Sequence, residues 1–110
     1  MTESEFLELA EETLDAVEAA LDRLADQDMV DVECSRNGNV LEIEFLENGS
    51  KVIVNSQAAM KELWVAARSG GFHYRFLEGK WCDTRSGLEL FAALSEIATA
   101  QGGAPVVLAP

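Results

Sequence analysis

Apolar residues recur along the first quarter of the chain at the spacing of a helix. At about 100° per residue, Phe6, Leu9, Ala10, Thr13, Leu14, Val17, Ala20, Leu21 and Leu24 fall within one arc. Glu8, Glu11, Glu12, Asp15, Glu18, Asp22 and Asp26 fall within the opposite arc. The pattern predicts a long amphipathic helix from about Glu3 to Asp26. From Val30 onward the period shortens to two. Val30, Val32 and Cys34 alternate with Asp31, Glu33 and Ser35, a half-buried strand with acids on its open side.

Turn residues then punctuate a run of short strands. Asn37-Gly38-Asn39 leads into Leu41, Ile43 and Phe45, which alternate with Glu42 and Glu44. Asn48-Gly49 is a hairpin signal ahead of Lys51–Asn55. Met60–Arg68 fits helix or strand on pattern alone. Gly70-Gly71 interrupt the chain, and Phe72, Tyr74 and Phe76 alternate with His73 and Arg75 before Glu78-Gly79 turns into a short strand with Trp81 and Cys82. Ser86-Gly87-Leu88-Glu89 has the spacing of a capping box, and Leu90, Phe91, Leu94, Ile97 and Ala98 share one face of the helix it opens. That helix stops at Gly102-Gly103, leaving residues 103–110 as a loosely held tail. Helix, antiparallel meander, helix is an α+β arrangement: a two-layer sandwich with both helices on one face of the sheet. The other face stays open for recognition.

The chain has 110 residues, 48% hydrophobic and 25% charged, which suits one domain over 1–110 with a core of its own. No apolar run approaches the ~20 residues of a membrane span. The acidic N-terminus resembles neither a secretory signal nor a transit peptide, which points to the cytoplasm. Cys34 and Cys82 stand far apart and read as reduced, partly buried thiols.

Charge changes the picture most. The formal net charge is −12, and residues 1–33 hold twelve acids against the single base Arg23, a net of −11. A field of this kind repels nucleic acid and anionic membranes and attracts cations or a basic protein surface. Like charges four residues apart on a helix each cost a few tenths of a kcal/mol, and almost no base is interspersed to offset that. The acids also continue past the helix through Asp28 and Asp31 to Glu33. Such carboxylates offer hard oxygen ligands to hard cations. The stripe contains no histidine or cysteine, so a tetrahedral zinc site does not fit, and Asp26–Asp31 lacks the glycine of an EF-hand loop. Exposed monodentate carboxylates predict weak, multiple, salt-sensitive sites that accept several metals.

Catalytic constellations are missing from the sequence. His73 is the only histidine and reads as a strand residue with satisfied hydrogen bonds; no P-loop or GxGxxG occurs. Trp81 fits core or surface. Trp64, inside Leu63-Trp64-Val65-Ala66, is either buried or, if the segment is a strand with Leu63 and Val65 inward, an exposed recognition residue.

In their order and spacing, NGSKVIVNSQ, LWVA, GGFHY and WCDTRSG between Asn48 and Gly87 resemble the central strands of the frataxin family. The acidic first helix and the last helix extend the likeness from about residue 4 to residue 100. The resemblance makes Met60–Arg68 a strand. It implies an acidic ridge that binds ferrous and ferric iron weakly, with other divalent cations also accepted. Matched residue by residue, the ridge would use Glu18, Asp22, Asp26, Asp28, Asp31 and Glu33, extended by Glu11, Glu12 and Asp15. The sheet face would present Asn55, Gln57 and Trp64 to partners, namely the cysteine desulfurase and the scaffold of iron–sulfur cluster assembly. Asp83 and Arg85 match a polar cluster before the last helix, with a structural or a functional role.

The implied function is that of an accessory protein that regulates cluster assembly or supplies its iron, not an enzyme. It would act as a monomer, with room for metal-induced oligomers. An iron-oxidising or iron-storing protein, and an acidic adaptor with incidental metal binding, are the alternatives. Ala19 and Arg23 depart from the family by standing where relatives often carry further acids. Asp26 is the acid nearest Arg23 at helical contact spacing, and such a pair would weaken cation binding nearby.

Overall fold

The computed structural model describes all 110 residues. Helix α1 runs over Glu3–Asp26, as its apolar period predicts. Its start is fixed by Thr2, whose hydroxyl accepts the Glu5 N–H at 3.1 Å while the Thr2 N–H donates to Glu5 Oε1 at 2.8 Å. Six strands follow: β1 (Val32–Asn37), β2 (Val40–Phe45), β3 (Ser50–Gln57), β4 (Glu62–Ala67), β5 (Gly70–Leu77) and β6 (Lys80–Asp83). Helix α2 (Leu90–Gly102) closes the chain. The strands pair antiparallel in sequence order, a plain six-stranded meander. Met60–Arg68 is therefore a strand with its flanking turns.

Strand alternation sorts the residues onto two faces. Val32, Leu41, Ile43, Phe45, Val52, Val54, Leu63, Val65, Tyr74 and Trp81 are buried beneath the helices. Phe6, Leu14, Val17 and Leu21 of α1, with Leu90, Leu94 and Ala98 of α2, pack onto them in the same core. The result is the two-layer α+β sandwich with both helices on one face of the sheet. Trp81 belongs to the core: its ring meets Phe6 and Phe76 edge-on, at 6.0 and 5.2 Å between centroids. The Trp81 indole N–H donates to Thr13 Oγ1 at 2.9 Å, a buried bond that ties edge strand β6 to the middle of α1. No helix is long and apolar enough to cross a membrane.

Two expectations at the C-terminal end are corrected. Ser86 does not cap α2. It belongs to a turn organised by Asp83, whose Oδ1 accepts the N–H groups of Arg85 and Ser86 at 2.7 and 3.2 Å. This gives Asp83 a structural role in the polar cluster. Glu89 remains extended and bridges back to Cys82, and its own carboxylate caps the helix by accepting from Phe91 and Ala92. Gly102 packs so close to the α1–β1 connection and to β2 that a Cβ there would lie 2.9 Å from Val30 Cγ2 and 3.4 Å from the Phe45 ring, which explains a glycine in the last helical turn.

The tail 103–110 is held down rather than loose. Val106 and Leu108 are buried in the core cluster. The Val106 N–H donates to Thr99 Oγ1, that hydroxyl donates to the Val106 carbonyl, and the Leu108 N–H donates to Ser95 Oγ at 2.8 Å. Arg23 reaches the same tail, donating to the Ala109 carbonyl at 3.0 Å, and forms no ion pair with Asp26. Leu108→Ala should accordingly lower unfolding stability by about 2 kcal/mol or more in urea denaturation. A loss within about 0.5 kcal/mol, the range of ordinary surface substitutions, would show that the tail adds nothing.

Candidate functional site

Chemistry-bearing residues gather in two places. The first is the edge formed by α1 and β1, which run antiparallel beside each other, joined by residues 27–31. Glu11, Glu12, Asp15, Asp22, Asp26, Asp28, Asp31 and Glu33 are exposed there, and Glu18 is half-buried. The helical acids lie along one side of α1 as a strip, and Asp28 and Asp31 carry exposed charge on into the connecting loop. Glu33 lies apart from the strip: alternation along β1 turns it to the open face of the sheet, opposite Glu44 of β2, which in turn stands across from Lys51 of β3, itself ion-paired with Glu42. No three of these groups converge closely enough to hold one metal ion between them. The strip is thus a series of separate carboxylates, each suited to single-oxygen contact.

One base pairs with acids of the strip, and it is not Arg23. Arg36 of β1 lies on the helix side of its strand and places Nη1 2.7 Å from Asp15 Oδ1 and 3.9 Å from Glu18 Oε1. Its Nε–H donates to the Gly38 carbonyl, which fixes the guanidinium in position. Of the twelve acids in residues 1–33, Asp15 and Glu18 alone have a cationic partner, so ten remain unpaired. Arg36 escaped sequence reasoning because nothing local to Ser35-Arg36-Asn37 shows that β1 lies along α1. Cys34 faces the same helix. Burial, reinforced by the carboxylates of Asp22 and Glu18, pushes its thiol up to about 12, so it stays protonated at neutral pH and is no ready thiolate ligand.

The second place is the uncovered face of the sheet. Register aligns Asn55, Trp64 and His73 across β3, β4 and β5, and beside them Gln57, Glu62, Arg75 and Cys82 across β3 to β6. Trp64 is half-buried on this face, with Leu63 and Val65 turned into the core. Its ring stacks on His73 at 4.3 Å between centroids and 7° between planes. Gln57 Nε2 donates to Asn55 Oδ1 at 3.5 Å. The small pair Ala66 and Gly71 leaves a depression of about 170 Å³ next to Trp64, floored by Ile53.

Beneath this layer lies Glu62, which the sequence pattern left unnoticed. Its Oε1 accepts the Trp64 indole N–H at 3.0 Å and lies 3.4 Å from His73 Nδ1. Its Oε2 accepts from Arg75 Nε and Nη2 at 3.2 and 2.8 Å. The signal that could have found it is the i, i+2 spacing of Glu62 and Trp64 combined with their registers against Arg75 and His73.

A family model described as a frataxin-like domain matches residues 1–104. The chain belongs to the frataxin family. It is 67% identical over 108 residues to an iron–sulfur cluster assembly protein CyaY of Janthinobacterium sp. (strain Marseille), covering 98% of this frataxin and 96% of that protein. A protein of the same description from Paraburkholderia phymatum is 56% identical over the full length of both. Among solved structures, a frataxin of Psychromonas ingrahamii superposes with a TM-score of 0.86 at 34% identity, covering 100% of each chain. A trimeric yeast frataxin, described as complexed with ferrous, aligns with a TM-score of 0.72 at 25% identity, over 86% of this frataxin and 85% of the yeast chain.

The indole N–H and the Arg75 guanidinium hold the Glu62 carboxyl below its ordinary value of 4.5, against the opposing effect of burial, with the nearby His73 adding to the lowering. A carboxylate with a lowered folded value adds stability above its unfolded value and loses it as pH falls through the folded one. The stability gap between this frataxin and Glu62→Gln should therefore be greatest at neutral pH and shrink below pH 4.5. Urea denaturation at a series of pH values checks this. A gap that is constant or widens on acidification would contradict the lowered carboxyl.

Proposed function

We propose that this frataxin is an iron-binding accessory factor of cytoplasmic iron–sulfur cluster assembly, regulating or feeding the process through contacts with cysteine desulfurase and scaffold. One observation carries the reading: exposed acids along α1 and in its connecting loop, ten of the twelve N-terminal acids having no cationic partner. The description of close relatives as iron–sulfur cluster assembly proteins supports the process, and the ferrous complex of the yeast relative supports the ion.

The mechanism is electrostatic. Separate, water-exposed carboxylates attract ferrous or ferric ions and other divalent cations weakly, because each keeps much of its hydration and no cage closes around the metal. The same strip docks on a basic surface of the desulfurase, steered by long-range attraction that salt screens over about 10 Å. Bound iron reduces the negative charge of the strip and so weakens docking. By linkage, docking weakens iron binding to the same degree. Iron is cargo or signal in this scheme, not the centre of a catalyst. The open face, with Asn55, Gln57 and Trp64, supplies the shape-specific part of the contact. The protein acts as a monomer.

The decisive experiment follows cluster formation on the scaffold by cysteine desulfurase, with and without this protein, across a range of ferrous iron. The expected result is a rate change that depends on iron and disappears in the triple variant Glu18→Gln, Asp22→Asn, Asp31→Asn. In that variant desulfurase affinity should fall at least about tenfold, equivalent to about 1.4 kcal/mol, with thermal stability unchanged or raised. No rate change at any iron level, with the protein folded, would refute the regulatory reading.

A further inference from the structure

Glu62 is the only charged residue in the buried class, at 3% exposure, yet it stands on the sheet face that no helix covers. A surface glutamate at this position would pair the strands equally well without losing its hydration. The burial therefore accompanies something else, and the contacts show what. Trp64 is held at two points before any partner arrives. Its N–H edge is tied to Glu62 two residues earlier on the same strand, and one ring face is covered by His73, its direct partner across the β4–β5 pairing. Glu62 is itself fixed by two N–H groups of Arg75 from the neighbouring strand. Asn55 stands opposite Trp64 and Gln57 opposite Glu62, so the carboxylate lies at the centre of the polar and aromatic group on this face.

We propose that Glu62 is a positioning residue: it locks Trp64, and with it the Trp64–His73 stack, in the orientation that a protein partner meets. An indole already fixed in its bound orientation loses less freedom on docking, and affinity gains by that difference. Glu62 is too deeply covered to touch the partner itself. The affinity half of the proposal rests on the docking role given to this face above; the geometric half does not.

Two readouts separate the halves. The first is the pair of indole N–H resonances in a ¹⁵N-labelled sample. Trp81, bonded to Thr13 in the core, serves as the internal control for an intact fold. Glu62→Ala should shift the Trp64 resonance and speed its exchange with water while leaving that of Trp81 in place. Glu62→Gln, which retains an acceptor for the indole, should stay close to the parent. The second readout is affinity for cysteine desulfurase: Glu62→Ala should lose about tenfold, approaching the loss in Trp64→Ala, and Glu62→Gln should recover most of it. Glu62→Leu, similar in volume and without an acceptor, replaces Glu62→Ala should the latter not fold.

An unmoved Trp64 resonance in the apolar variant would overturn the proposal. So would unchanged affinity in that variant while Trp64→Ala weakens binding. If Trp64→Ala itself leaves affinity intact, the docking role of this face fails and the affinity half fails with it. The indole resonance then decides the geometric half alone.

Discussion

Two helices cover one face of a six-stranded sheet and leave the other to water, and most features of this frataxin follow from that imbalance. The covered face takes most of the strongly apolar strand positions, from Val32 on β1 to Trp81 on β6, and leaves only a few, such as Ile53 and Leu77, on the open side. The helix that does most of the covering must then keep its opposite side in solvent, and that side carries the acids. Because α1 lies against β1, the charge collects at one edge of the molecule. The open face cannot be apolar without inviting aggregation, so it is built from polar pairs, one stacked aromatic pair and a carboxylate hidden beneath it. Position in the fold thus separates two chemistries: diffuse charge at the edge and fixed polar and aromatic groups on the sheet.

Those parts of the fold governed by local period were legible in the sequence. The 3.6-residue repeat from Phe6 to Leu24 set α1, alternation set β2, β5 and β1 (which starts at Val32 rather than Val30), and the Asn48-Gly49 turn marked the start of β3. Legibility ended where long-range contacts overrule local signals. Ser86 and Glu89 have capping-box spacing, but Asp83 takes the turn and the bridge from Glu89 to Cys82 keeps the backbone extended until Leu90. Gly102-Gly103 read as the start of a loose tail. Two buried side chains, Val106 and Leu108, suffice to dock it, and two apolar residues are too few to make a pattern.

Within the candidate site the same division holds. The acidic strip was visible as charge alone, since helical spacing brings its members to one side. Arg36 and Glu62 were not, because each acquires its meaning from a neighbour more than ten residues away: Asp15 lies 21 residues before Arg36, and Arg75 lies 13 after Glu62. Their roles are opposite in sign. Arg36 puts a fixed cation into an acidic strip, and Glu62 puts a fixed anion beneath the exposed Arg75 and His73. Sequence composition registers both merely as one charge among others. The exposed bases of residues 61–85, Lys61, Arg68, Arg75, Lys80 and Arg85, outnumber the exposed and half-buried acids Glu78 and Asp83, so the far half of the sheet opposes the edge in sign.

The electrostatic strain of the strip is itself informative. Neighbouring carboxylates on a helix each cost a few tenths of a kcal/mol when like charges face one another at four-residue spacing. A helix selected for stability alone would carry lysines at some of these positions. Here the repulsion is relieved locally at Asp15 and Glu18 by Arg36, and elsewhere left standing. Any cation that settles on the remaining acids removes repulsion and binds the folded chain in preference to the unfolded one, so its binding energy appears as added stability. The same term works in reverse, since a strip destabilised by its own charge gains most from a partner that neutralises it. A marginal helix surface and a surface that cations would stabilise are, on this edge, the same physical property.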